Sequence, residues 1–384
     1  MSGTGTFPEV PLFDLRLTPQ DIAAVADTLR SGWLTMGPRT QEFEAAFAEQ
    51  LGCRHAVAVS SCTAALHLAY LAAGVGPGTE VIVPSFTFAA TAAAALYCGA
   101  TPVFADISGR HDPSLDPDVV EQAITPRTRA VCVVHFAGYP GQVERLRALC
   151  DARGIALIED VAHAPSAHVD GRKLGTWGLA GAFSFFSNKI LSAGEGGLLA
   201  TDDDDVAALA RSLRSQAMTS GTWSRHTGAT TTYDVEGLGF NYRTDEMHAA
   251  LLLSRLGRLE EDIARRRELT RTYRARLAEV SGISVPFADD DVQRSSCYVM
   301  PVFVDDPERW TSVRDFLRHE RGVQTSLFYP AIHEFSAYVE RFGRQSLPET
   351  ELAARTELTL PLYPHMTDEQ LDRVVQALAD GLAR

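Results

Sequence analysis

The stretch GAFSFFSNKILSAGEGG, residues 181–197, sets a single lysine between an apolar run and a glycine-rich turn. A lysine amine among aromatic and aliphatic side chains is pushed toward its neutral, nucleophilic form, because burial disfavours the ammonium. In that form Lys189 can condense with a carbonyl to a Schiff base. The alternative is a solvated strand end with the ammonium in water. Asp160 favours the first reading. It closes the apolar run IALIED, where an unpartnered carboxylate is costly to bury. A protonated pyridine nitrogen fits there, since opposite charges about 3 Å apart attract by about 5 kcal/mol at an effective dielectric of about 20. An attraction of that size keeps such a ring protonated as an electron sink. The competing role for Asp160 is the N-cap of a helix through VAHAPSA.

The run SSCTAALHLAYL, residues 60–71, passes from strand to helix through small hydroxyl side chains. Free N–H groups at such a helix start suit an anion such as a phosphate, although a plain Ser/Thr cap has the same look. It lacks the GxxxxGK[ST] spacing of a nucleotide-binding loop. Ser184 offers a second hydroxyl just before Lys189. Phe88, in PSFTF, either stacks on a flat ring or fills core. The GEGG turn permits close backbone approach.

The elements that must position these groups are legible from periodicity. HAVAVSS, EVIVPS, TPVFADI, RAVCVVHF and IALIED read as strands, and CTAALHLAYLAAGV, FAATAAAALYCG, DPDVVEQAI and QVERLRALCDARG as the helices between them. The alternation predicts an α/β domain on a mostly parallel sheet, and strands that are apolar throughout require cover on both faces. Ligands collect beyond the carboxyl ends of such strands, which is where residues 60–63, 85–88, 160–163 and 184–189 fall. The charged run LSRLGRLEEDIARRRELTRTYRARL reads as one long helix leading into a smaller domain. We divide the chain into a large domain, residues 1–255, and a small C-terminal domain, residues 256–384.

A chain of 384 residues suits two domains. Its formal net charge of −14, without a basic cluster, argues against nucleic acid or an anionic membrane as partner. The uncharged stretch 81–105 is broken by Pro84 and Pro102 and reads as strand, helix and strand instead of a membrane span. No signal peptide is read at the N-terminus. Six scattered cysteines without metal-ligand spacing fit free thiols in a reducing cytoplasm, with no metal site.

The motifs SGWLTMGP, SSCTAALHLA, EDVAHA, SFFSNKILSAGEGG, GLGFNYRTDEMHAALLLSRL and LPLYPHMTDEQLD follow one another in this order along the chain. Together they resemble the DegT-type (DegT/DnrJ) sugar aminotransferases, pyridoxal-phosphate (PLP) enzymes of the aspartate aminotransferase fold, fold type I. The resemblance runs from about Val10 to the C-terminus. It implies a seven-stranded, mostly parallel sheet in the large domain and a small α/β domain. It implies that Lys189 carries the cofactor and moves the proton, that Asp160 pairs with the pyridinium, and that His163 lies near the ring's hydroxyl. Phe88 then stacks on the ring, Cys62, Thr63 and Ser184 take the phosphate, and Asn241 of GFNYR reaches the phosphate of the partner subunit in a homodimer with shared active sites. Two departures stand out: Cys62 where many relatives have glycine, and Phe328 where relatives often carry histidine.

The activity so implied moves an amino group from L-glutamate or L-glutamine, through the PLP and pyridoxamine (PMP) forms, to a keto-sugar. The acceptor expected is a nucleotide-linked 4-keto or 3-keto-deoxysugar in antibiotic or glycan biosynthesis, with a free keto-cyclitol as the alternative and a non-catalytic PLP-binding regulator behind it. The intact Lys189 argues against the branch of the family that has histidine there and dehydrates the sugar. In the polar connection 214–240, Trp223, Arg225 and His226 are read as shaping the acceptor site or the partner's pocket, with a surface loop as the other option. Tyr329 and His333 are read as closing over the substrate, His333 alternatively as a structural residue. Arg243 is an anion candidate or half of a helix-end ion pair.

Overall fold

The computed structural model describes residues 9–384. Its first unit is built on β1 (His55–Val59), β2 (Glu80–Pro84), β3 (Thr101–Ala105), β4 (Thr128–Val134), β5 (Ala156–Asp160), β8 (Ala180–Ser184) and β9 (Gly197–Thr201), with a hairpin of β6 (His168–Val169) and β7 (Arg172–Lys173) set apart. The seven strands lie in the order β1-β9-β8-β5-β4-β2-β3, parallel from β8 to β3 and antiparallel at the β1-β9-β8 edge. Successive strand residues feed opposite faces. Ile82, Val131, Val133 and Leu157 join a core with Phe43, Phe47 and Leu146, whereas Val81, Val83, Ala130, Cys132 and Ile158 join one with Leu66, Tyr70 and Ala92. Both faces are dry, as the unbroken apolar strands require.

The helix Cys62–Ala72 starts where Ser61 leaves β1, and Ser61 Oγ accepts from Ala64 N at 3.1 Å. Strand β9 has no counterpart in the sequence reading, because GLLAT follows a glycine cluster that reads as turn. The charged run through residue 277 is also not one helix. It is two, Glu246–Leu256 and Leu259–Leu277, separated at Gly257 and Arg258. Buried Asp21 marks the break. Its carboxylate accepts from Arg258 at 2.9 and 2.6 Å, and although burial alone would raise its pKa, Arg258 and the Thr18 N–H hold it well below the ordinary carboxylate value.

A second, antiparallel sheet, β10 (Ile283–Ser284), β11 (Met300–Val304) and β12 (Glu357–Leu360), packs Val302, Val304, Leu358 and Leu360 against Tyr273, Phe316, Leu371 and Val374. The N-terminal segment, grouped with the large domain in the sequence reading, crosses to this unit. Val10 N donates to Gly322 O at 3.1 Å, and Val10 is buried in this second core. Among the described residues no helix is long and apolar enough to cross a membrane.

Candidate active site

The carboxyl ends of β5 and β8 lie side by side in the sheet, so Asp160 and Ser184 open onto one space. That space is a cavity of about 390 Å³. Cys62 and Thr63 enter it from the helix start, Phe88 from the loop after β2, Lys189 from the turn after β8, and Tyr329 from the second unit. The four polar segments that the sequence places at strand ends thus converge.

Lys189 is partly buried, with Nζ 4.7 Å from the centroid of the Tyr298 ring. Burial lowers its pKa to about 8, against the opposing pull of Asp160 and Cys62. At pH 7.5 about a quarter of such amines are neutral, compared with about one in a thousand at the ordinary value. The turn that bears Lys189 is held from behind by buried Arg255, whose guanidinium donates to the carbonyls of Ile190, at 3.2 Å, and Ser192. Glycines fix its front. Gly196 has φ +137°, and a Cβ on Gly197 would overlap the backbone of Ser61 and Cys62, so the lysine turn lies directly against the helix start.

Asp160 is 6% exposed; Oδ2 accepts from Thr91 Oγ1 at 2.9 Å and Oδ1 from Ala162 N at 3.1 Å. No helix follows it, so the N-cap role is not realised. Burial raises its pKa, and the two hydrogen bonds only temper the rise. A cation beside the carboxylate would reverse that shift. His163, 4% exposed, shares a 2.7 Å hydrogen bond with Tyr329 Oη through Nε2, while its buried Nδ1 has no partner. Burial, then the charge of Lys189, push its pKa well down, so the imidazole is neutral. Phe88 is 61% exposed at the cavity, which excludes a core role. Ser184 Oγ is 3.4 Å from Phe186 N, and Cys62 Sγ is 3.9 Å from Asp160 Oδ1.

Other expected residues lie elsewhere in the chain's own fold. Asn241 is exposed and pairs with Ser215. Trp223 and His226 pack on Trp33 at 4.8 and 4.4 Å between ring centroids, and Arg225 covers Tyr233 at 4.7 Å. His333 does not face the cavity. It is 2% exposed, behind a 2.7 Å hydrogen bond shared between Nδ1 and Ser85 Oγ, which is the structural alternative. His333, Glu334 and Glu351 do bring ligand atoms within 4.8 Å of one another, but Glu351 already accepts from Leu347 N at 2.9 Å and lies beside Arg355. Arg243 forms no ion pair among the described residues, and its Nη1 is buried without a partner.

Sequence reasoning missed Thr91, Tyr298, Asn188 and Glu195. Thr91 carried a signal, as the one polar residue in the helix Ala90–Tyr97 before its final Tyr. Asn188 and Glu195 line the cavity and flank Lys189 inside the motif already singled out. Tyr298 lies too far along the chain for spacing to reveal it.

A carboxylate needing a cationic partner, a partly neutral lysine, an unpartnered imidazole nitrogen and a helix start on one cavity are the donor set of a PLP-dependent aminotransferase. The pattern of the DegT/DnrJ/EryC1/StrS aminotransferase family matches residues 16–379. The spore coat polysaccharide biosynthesis protein SpsC of Bacillus subtilis (strain 168) is 38% identical over 367 residues, 94% of each chain. The crystal structure of S. venezuelae DesV superposes with a TM-score of 0.90 at 38% identity, covering 98% of this chain and 99% of that one. The aminotransferase TlmJ from Streptoalloteichus hindustanus gives a TM-score of 0.90 at 37% identity over 97% and 99%. The chain belongs to the DegT/DnrJ/EryC1/StrS aminotransferase family and is a PLP-dependent sugar aminotransferase.

Proposed function

We propose that the enzyme takes an amino group from L-glutamate or L-glutamine and delivers it to a nucleotide-linked 4-keto or 3-keto-deoxysugar, as a cytoplasmic homodimer with active sites at the subunit interface. The observation that carries this reading is the single cavity on which Lys189, with its pKa near 8, Asp160 and His163 converge. The likeness to a polysaccharide biosynthesis protein supports a sugar destined for a glycan. The exposed Asn241 supports a role in a neighbouring subunit.

In this reading Cys62 and Thr63 at the start of the helix Cys62–Ala72, together with Ser184, would hold the cofactor's phosphate, and Asn241 would reach it from the other subunit. Phe88 would cover the cofactor's ring, and Asp160 would hold the ring nitrogen in its protonated form. Once bound, the cofactor supplies an electron sink for the carbon that loses a proton. Lys189 does the proton work. Its neutral amine would take the proton from the donor's α-carbon and pass it to the cofactor's carbonyl carbon, and in the second half it would carry a proton from that carbon to the acceptor's carbon, general acid and base work worth roughly 10²–10⁴-fold. Neutral His163, held by Tyr329, offers its free nitrogen to the ring's hydroxyl side without adding charge. The large domain is assigned residues 1–255, with the segment at Val10 seated against the small domain, which is assigned 256–384.

The test is the visible absorbance of the PLP-loaded enzyme, first with glutamate or glutamine and then with a panel of nucleotide-linked keto-deoxysugars and free keto-cyclitols. Loss of the band with donor and its return with a nucleotide-linked ketone is the expected result. Return with keto-cyclitols alone overturns the acceptor, and a wild-type band that no amino donor alters overturns the activity.

A further inference from the structure

We propose that Glu357 is a positioning residue of this active site, acting through Phe328 and Tyr329 on His163. The proposal rests on the reading of His163 as a group at the cofactor ring. Glu357 opens β12 with no exposed surface, just before Leu358, which feeds an apolar core, and it does not line the cavity. No basic group lies within ion-pair distance of it among the described residues. Its Oε2 accepts from Phe328 N at 2.7 Å, and Oε1 meets the Thr359 hydroxyl at 2.5 Å. Burial pushes the carboxyl well above its ordinary pKa, so it serves as a neutral, fixed acceptor.

A buried carboxyl without an ion partner is costly, and an aliphatic side chain would fill the strand more cheaply. What Glu357 holds is the backbone at the entry of Tyr329 to the cavity. Ser326 and Thr359 exchange backbone hydrogen bonds of 3.2 and 2.9 Å, and beyond that pair the Glu357 acceptor is the next anchor. The rings of Phe328 and Tyr329 then lie parallel, 4.9 Å apart, and Tyr329 Oη reaches His163 Nε2 at 2.7 Å. Because His163 Nδ1 is unpartnered, this one hydrogen bond sets the imidazole's orientation. Loss of the acceptor leaves the Phe328 N–H unsatisfied and frees the segment to shift Tyr329.

The experiment compares Glu357→Met, Glu357→Gln, Tyr329→Phe and the Met/Phe double variant. Readouts are the cofactor's dissociation constant, the pH midpoint of its visible absorbance in the loaded protein, kcat and KM for the donor, and Tm without cofactor. Glu357→Met is expected to move the midpoint in the same direction as Tyr329→Phe and to lower kcat by roughly 10- to 100-fold with KM little changed. Gln, which keeps a neutral acceptor, restores both. The double variant is no worse than Tyr329→Phe alone. A drop in Tm with an unmoved midpoint, or additive effects in the double variant, overturns the proposal and leaves Glu357 a packing residue. Should Glu357→Met not fold, Glu357→Asp draws the acceptor back by one methylene, and an unmoved midpoint there overturns it equally. A wild-type protein with no visible band fails the functional reading instead.

Discussion

In the proposed reaction, Lys189 is the residue at which function and stability oppose each other. Its pKa of about 8, against 10.5, means the folded protein binds fewer protons than the unfolded chain between those values. The sign follows: stability of the cofactor-free protein rises as pH climbs from about 8 to about 10.5, and at neutral pH the group costs about 1–3 kcal/mol, allowing for its partial exposure. Lys189→Met is therefore expected to stabilise the cofactor-free protein by that order at pH 7, in denaturant melts, while abolishing transamination. The gain is expected to vanish near pH 11, and a Met variant less stable than wild type at pH 7 would count against a strained ammonium. Once the donor has displaced Lys189 from the cofactor, the same burial favours its neutral, proton-accepting form, so the first half-reaction, followed by stopped-flow absorbance, is expected to slow as pH falls below neutrality. These two residue-scale facts were half legible in the sequence. Lys189, Asp160 and His163 show themselves by their positions at strand ends and by motif. The partners that tune them, Thr91, Tyr298 and Glu357, come from distant segments, and only folding brings them near.

At the scale of elements, the site depends on how closely the lysine turn and β9 approach the start of the helix Cys62–Ala72. Ser61 bridges Gly196, and the next residue, Gly197, has no room for a side chain. Gly197→Ala must push the helix start away, and we expect a loss of about 2–4 kcal/mol in stability, as for overpacking beside rigid backbone. Cofactor affinity should fall at least tenfold, because the first-turn N–H groups move with the helix. Binding followed by fluorescence quenching checks it, and unchanged affinity would mean the helix start does not hold the phosphate. Periodicity exposed the helix and the central strands, since apolar runs of five to seven residues can only be buried. It did not expose β9, whose glycines look like a turn until the close approach is seen. Nor did it expose the break at Gly257 and Arg258, where the apolar period continues but buried Asp21 draws Arg258 out of line.

The whole molecule leaves part of the expected constellation unused in its own cavity. Asn241 is exposed, the segment 214–240 is largely in solvent, and Leu238 within it is 96% exposed beside half-exposed Tyr233 and Val235. Apolar side chains gathered on an open segment point to a surface covered by another molecule. A two-fold dimer that places each Asn241 in the opposite active site accounts for both features, because such an interface presents the same patch twice. Complementation separates this from a role within one chain. Lys189→Ala and Asn241→Ala homodimers should each be inactive or nearly so. In a mixed dimer one site combines both lesions and the other is intact, so random subunit exchange gives about a quarter of wild-type activity. If Asn241 served its own chain, every site in the mixture would carry one lesion, and exchange would restore nothing. Activity that stays at the level of the unmixed variants, with exchange verified by mass, therefore removes the shared-site dimer. Recovery near a quarter fixes the subunit from which Asn241 acts.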